Sequence, residues 1–213
     1  MRVIELAGPG ENGDLLLVFD GFGGSSVRSR AVAELAPDGG ALWYVYDYTD
    51  EDFPLEKLRG FKNIHLAAWS LGVWQAARTL RRVELKSACA FNGTLNPVSA
   101  EYGIAPEIFH ATAENWSEIA RRKFNRRAGI PEEFASDRPV EAEKLELMAL
   151  EMRITGADEP PENLYKQVFS GENDRIFPLE NQQRCWRKCP LEPVVLTAPH
   201  YIWNLAAKAA DNE

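Results

Sequence analysis

Short, nearly unbroken apolar runs alternate through the first half of the chain with stretches of helical period. The runs Val3–Leu6, Leu15–Phe19, Leu42–Tyr46, Ile64–Trp69 and Ser87–Phe91 predict strands, and Leu164–Phe169 and Val194–Leu196 add two more far downstream. Ser25–Leu35, Leu71–Arg82, Leu179–Lys188 and Tyr201–Ala209 predict helices. Strands that are apolar on consecutive positions, rather than on alternate ones, belong to a sheet covered on both faces. The expected fold class is therefore α/β, with a mostly parallel central sheet and helices on both faces. The first two runs, joined by Gly8-Pro9-Gly10-Glu11-Asn12-Gly13, read as an antiparallel hairpin at the sheet edge.

This rhythm stops at about residues 96–161. The sequence there turns polar and helical, with Leu145, Met148, Ala149 and Met152 at helical spacing inside Pro139–Ile154. Helices inserted between two core strands form a lid on this architecture; two long surface crossovers are the plainer alternative. At 213 residues the chain is expected to be one domain carrying that insertion.

One junction in the pattern carries chemistry. Strand Ile64–Trp69 runs into Ser70, then Leu71-Gly72, then the helical run from Val73. Strand, serine, helix is the layout of the nucleophile elbow of an α/β-hydrolase, which needs small residues two places either side of the serine. Gly72 supplies one, and Ala68 stands where glycine is usual. A buried or capping serine would look the same locally, so the rest of the chain decides. A serine nucleophile needs a base, an acid to orient the base, and donors for the oxyanion.

Only three histidines exist. His65 lies within a strand and His110 within the insertion, whereas His200 follows the last strand, where this class carries its base. The acid is expected between nucleophile and base, in Gly171-Glu172-Asn173-Asp174-Arg175-Ile176-Phe177-Pro178 after a strand. Asp174 is the first choice there and Glu172 the second. The oxyanion donors are expected to be backbone N–H groups. Leu71, after the nucleophile, gives one; Phe22, in the turn Asp20-Gly21-Phe22-Gly23-Gly24, gives the other. That turn lacks the Lys-Ser/Thr of a phosphate-binding loop.

Charge narrows the picture further. A net charge of −8 argues against a general nucleic-acid binder. Yet Arg121-Arg122-Lys123-Phe124-Asn125-Arg126-Arg127 concentrates positive charge within the insertion. On a helix Arg122/Arg126 and Lys123/Arg127 form adjacent ridges, which serve either as a solvated face or as a dock for an acidic partner. No apolar stretch is long enough to span a bilayer, and the N-terminus does not read as a signal peptide. Cys89, Cys185 and Cys189 suit a reducing compartment without a disulfide framework, and no further ligands stand at metal-site spacing around them. A cytoplasmic monomer, without metal or cofactor, is expected.

Taken together these residues resemble the BioG-type pimeloyl-acyl-carrier-protein methyl ester esterases of biotin synthesis. The resemblance rests on Phe19-Asp20-Gly21-Phe22-Gly23, Tyr46-Asp47-Tyr48, Ala68-Trp69-Ser70-Leu71-Gly72-Val73-Trp74, Asn92-Gly93-Thr94, Lys123-Phe124-Asn125-Arg126-Arg127, Asp174-Arg175-Ile176-Phe177 and His200-Tyr201. It covers nearly the whole chain. Phe22 stands where tryptophan is expected, which leaves a backbone donor but alters pocket shape. The resemblance implies an α/β-hydrolase fold and hydrolysis of the terminal methyl ester of pimeloyl-acyl-carrier protein. It further implies docking of the carrier protein on the basic lid helix. A broader carboxylesterase or thioesterase on the same triad is the second enzyme reading, and a non-catalytic acyl-carrier-binding protein of this fold is the reading from another class.

Overall fold

The computed structural model describes residues 1–8 and 12–203. Among them seven strands form one sheet: β1 (Arg2–Ala7), β2 (Asp14–Phe19), β3 (Ala41–Tyr46), β4 (Asn63–Trp69), β5 (Ser87–Phe91), β6 (Gln167–Gly171) and β7 (Val194–Leu196). Their spatial order is β1-β3-β2-β4-β5-β6-β7. Every neighbouring pair is parallel except β1 with β3.

The hairpin expected from the first two runs does not form. β1 pairs antiparallel with β3, Arg2 opposite Tyr46 and Glu5 opposite Trp43, while β2 lies between β3 and β4. The residue patterns explain the difference. β1 keeps Arg2 and Glu5 exposed, as an edge strand can, whereas β2 is deeply buried and β3 is buried at every position. A strand buried on both faces is stabilised by two parallel neighbours. The chain between Ala7 and Asp14, at ~3.4 Å per residue, is long enough to pass β3 and span two strand spacings of ~4.8 Å each.

Alternate side chains of the strands enter two separate cores. Leu15, Leu17, Phe19, Trp43, Val45, Leu66 and Ala68 face one cluster, completed by α1 (Leu71–Thr79) and α5 (Leu179–Arg187) through Val73, Trp74, Cys185 and Trp186. Val18, Leu42, Tyr44, Tyr46 and Trp69 face the other, closed by Val32, Ala128, Ile130 and Trp203. The sheet is thus covered on both faces, and the consecutive apolar runs follow from that.

Local tertiary contacts move some boundaries. The stretch read as a helix at Ser25–Leu35 is a 3-10 segment over Arg28–Leu35, whose Arg28 and Ser29 are buried beside polar partners. α1 stops at Thr79, where the chain turns before the exposed Arg81 and Arg82. β6 begins at Gln167, because Tyr165 leaves the sheet to donate its hydroxyl to the Val73 carbonyl (2.6 Å). Most of the helix read at Tyr201–Ala209, and Pro9-Gly10-Glu11 of the first connection, lie outside the described residues.

Between β5 and β6 the chain forms α2 (Pro106–Glu114), α3 (Glu118–Ala128) and α4 (Val140–Thr155). Ser117 caps α3, its hydroxyl accepting from the Ala120 N–H (3.3 Å), and Gly129 ends it at φ 78. Among the described residues no helix is long and apolar enough to cross a membrane.

Candidate active site

Ser70 stands between the end of β4 and the first turn of α1 at φ 58, ψ −127. A serine rarely adopts that left-handed φ, and such strain persists only where the surroundings over-determine it. Here the Ser70 N–H donates to the Phe91 carbonyl (2.9 Å), and the Ser70 carbonyl accepts from Val73 (3.1 Å). The glycine two residues on is sterically required: a Cβ on Gly72 would lie 2.3 Å from the Asp20 carbonyl oxygen and 2.5 Å from that of Phe19. Ala68, in the usual place of glycine, is fully buried in register between Phe19 of β2 and Ala90 of β5. The elbow therefore forms with alanine at that position.

His200 reaches Ser70 from the chain after β7. Its Nε2 lies 2.9 Å from Ser70 Oγ and its Nδ1 2.8 Å from Asp174 Oδ2. The imidazole is fully buried, stacked within 7° of parallel on Phe177 and packed against Trp69. Asp174 is fixed in turn. Its Oδ1 accepts from the N–H groups of Ile176 (2.7 Å) and Phe177 (2.9 Å), and its Oδ2 accepts from Gln182 Nε2 (3.2 Å). Glu172, the second choice for the acid, is exposed outside this chain of hydrogen bonds. His65 bonds Ser87 (2.7 Å) and His110 pairs with Glu151 (3.0 Å), both away from Ser70.

The glycine turn after β2 lies directly against the elbow, since a Cβ on Gly21 would meet Ser70 Cβ at 2.9 Å. Buried groups that the sequence did not single out hold this turn. Arg28 donates to the Phe22 carbonyl (3.1 Å) and pairs with the fully buried Asp20 (3.4 Å). Asp20 also accepts from Tyr44 and from Trp203 Nε1 (3.0 Å). Burial, together with that carboxylate, holds the Tyr44 phenol well above its ordinary pKa, so it stays a donor.

Ser70, Phe22 and Leu71 open onto a cavity of about 470 Å³. Its far walls come from the helical insertion, chiefly Ile108, Trp116, Phe124 and Leu147. Phe22 meets Trp116 edge-on at 4.8 Å and Phe124 at 5.8 Å, so the phenylalanine of the turn is part of the apolar wall. Lys123 and Arg127 also line this cavity.

The basic run thus divides by partner. Arg121 pairs with Glu118 (2.7 Å) and with buried Glu143 (3.5 Å), and donates to the Arg138 carbonyl (2.8 Å). Its charge is compensated within the fold. Arg122, Lys123, Arg126 and Arg127 are exposed, and Arg127 also donates to the Arg175 carbonyl (2.6 Å), beside the Asp174 loop. Arg126 and Arg127, in the last turn of α3, also complement the helix dipole, so part of the run is explained without a partner.

Cys89, Cys185 and Cys189 are free thiols raised in pKa by burial. Among the described residues no group of three or more His, Cys, Asp or Glu side chains is placed to hold a metal.

A strained serine at a strand-to-helix elbow, on a mostly parallel sheet and bonded to a buried histidine, defines the class as α/β-hydrolase. The chain belongs to the family described as pimeloyl-ACP methyl esterase BioG, whose pattern matches residues 8–207. It is 34% identical over 208 residues to a malonyl-acyl-carrier-protein O-methyltransferase of Bacteroides fragilis. That alignment covers 92% of this chain but 41% of the relative, so the chain spans less than half of that protein. It is also similar to the crystal structure of BioG from Haemophilus influenzae, with a TM-score of 0.85, 30% identity and 96% of each chain covered. A thermophilic esterase from Thermogutta terrifontis shares the fold at 18% identity and a TM-score of 0.68, covering 99% of this chain and 90% of that one.

Proposed function

We propose that the protein hydrolyses the methyl ester of pimeloyl-acyl-carrier-protein methyl ester, releasing methanol and pimeloyl-acyl-carrier protein. The observation that carries this reading is the hydrogen-bonded series Ser70–His200–Asp174, opening at Ser70 into an apolar cavity under a basic helix. Membership in the methyl esterase family supports the choice of ester.

In this reading Ser70 Oγ attacks the ester carbonyl while His200 Nε2 takes its proton. Asp174 holds the imidazole tautomer through Nδ1 and stabilises the imidazolium. The Phe22 and Leu71 N–H groups receive the oxyanion. Collapse of the tetrahedral intermediate breaks the bond to the methoxy oxygen, which leaves with the His200 proton as methanol. Water then attacks the acyl-serine carbonyl, giving its proton to His200, and Ser70 Oγ recovers a proton as the carboxylic acid departs.

The substrate also carries a thioester, and the docking of the carrier accounts for its being spared. α2, α3 and α4 act as a lid, the insertion at about residues 96–161 of a single domain, and the acidic carrier docks on Arg122, Lys123, Arg126 and Arg127. Arg121, paired inside the fold, serves the lid itself. The prosthetic arm and acyl chain then thread past Lys123 and Arg127, so the far ester reaches Ser70 while the thioester stays outside. The enzyme works on this substrate as a cytoplasmic monomer.

Mass spectrometry of a carrier bearing the methyl ester tests the reading. Loss of one methyl with the thioester intact is the expected result. Release of the free carrier thiol would instead establish a thioesterase.

A further inference from the structure

Asn92 follows β5 at φ 46, in the left-handed region that asparagine tolerates better than most side chains. It is buried, and every polar group of its amide is used. Nδ2 donates to the carbonyls of Pro199 (3.0 Å) and His200 (2.7 Å), and Oδ1 accepts from the Gly171 N–H (2.6 Å). The Asn92 N–H donates to the Phe169 carbonyl (2.9 Å). Gly171 ends β6 and accepts from the Asp174 N–H (3.2 Å), so one amide ties the acid loop to the base loop. The next residue completes the junction, because a Cβ on Gly93 would lie 2.3 Å from the Ser70 carbonyl oxygen. Trp69 Nε1 supplies a second donor to the His200 carbonyl (2.7 Å).

We infer that Asn92 is a positioning residue, setting His200 between Ser70 and Asp174 by clamping the main chain on either side; this rests on the reading of those three residues as the triad. Asn92 does not line the cavity, so it acts through the loops and not on substrate. The role requires an amide. Aspartate at 92 keeps the volume and tolerates the φ, but sets a carboxylate oxygen against two carbonyl oxygens. Glycine keeps the φ and removes the clamp. Hydrogen bonds that hold a reacting group within a fraction of an ångström govern turnover more than binding.

The test compares Asn92→Asp and Asn92→Gly with wild type, with Ser70→Ala, and with the core truncation Leu85→Ala. Steady-state kinetics on the carrier-borne methyl ester are combined with the pH dependence of fluorophosphonate labelling at Ser70, per folded molecule by circular dichroism. The expected result is a fall in kcat of about 10²-fold with KM nearly unchanged, and a displaced labelling profile. Leu85→Ala should lose thermal stability yet keep both kcat and the profile. Should either Asn92 variant fold and retain wild-type kcat and profile, the inference is overturned. Loss of stability alone, as for Leu85→Ala, overturns it equally. Activity surviving in Ser70→Ala would remove the triad reading itself, whatever happens at position 92.

Discussion

Two regions of this molecule bury polar groups, and they do so differently. Beyond the ends of β4, β5, β6 and β7, together with α5, Ser70, Asn92, Asp174, His200 and Gln182 form a series in which each side chain has a partner of matching character. In the helical insertion, α4 buries two carboxylates, Glu143 and Glu146. Glu143 Oε2 accepts from Trp116 Nε1 (3.0 Å), but Oε1 has no hydrogen-bond partner among the described residues. Glu146 accepts from the Tyr48 N–H (3.1 Å) and pairs with Arg138 (2.6 Å), yet burial still pushes its pKa up to about 7. The difference separates two tasks. On the proposed reading, the sheet end holds a geometry that must not change during turnover. The insertion tolerates imperfect pairing, which suits the lid role proposed for it.

Predictions follow from breaking each side of that contrast. Asp174→Asn should give the largest loss, about 10⁴-fold in kcat, equally on a small soluble ester and on the carrier-borne substrate. The crystal structure of the variant should be unchanged outside the His200 ring. A loss below tenfold would mean that the acid does not orient the base. Charge reversal at Arg122 and Arg126 should raise KM for the carrier-borne ester about tenfold and leave the small ester unaffected. Equal losses on both substrates would deny the helix a docking role.

The smallest effect concerns Glu146. It holds its proton to higher pH in the folded chain than in the unfolded one, where its value is ordinary. The folded state therefore binds more protons between pH 4.5 and about 7, and stability falls as pH rises through that window. The fall is at most ~3 kcal/mol, with the opposing pull of Arg138 already contained in that pKa. Thermal melts of Glu146→Gln across the same window should show a flatter dependence than wild type, whatever the absolute Tm. An unchanged slope would show that the buried carboxylate is not the source.

The same contrast explains what could be read from the chain beforehand. The strands were legible because burial on both faces leaves continuous apolar runs such as Leu42–Tyr46. Adjacency was not: whether β1 pairs with β2 or β3 depends on which strand is buried by both its neighbours, a property of the whole sheet. Ser70, His200 and Asp174 could be picked out because histidine is scarce and chain order constrains the rest. The structure brings those three side chains together. Gln182, Arg28 and Glu146 gave little warning. A polar side chain that will be buried by tertiary contacts looks, in sequence, like one that will face water. Asn92 stood out only within Asn92-Gly93-Thr94, one of the motifs of the resemblance, and nothing in it foretold which loops the amide would join.

The central claim is that Ser70 attacks the terminal methyl ester of a carrier-bound acyl chain. Intact mass spectrometry of pimeloyl-acyl-carrier-protein methyl ester, incubated with wild type and with Ser70→Ala, tests it most directly. The account predicts loss of a single methyl equivalent with wild type, with the thioester preserved, and no change with the variant. Demethylation by Ser70→Ala, or cleavage at the thioester by wild type, would contradict it.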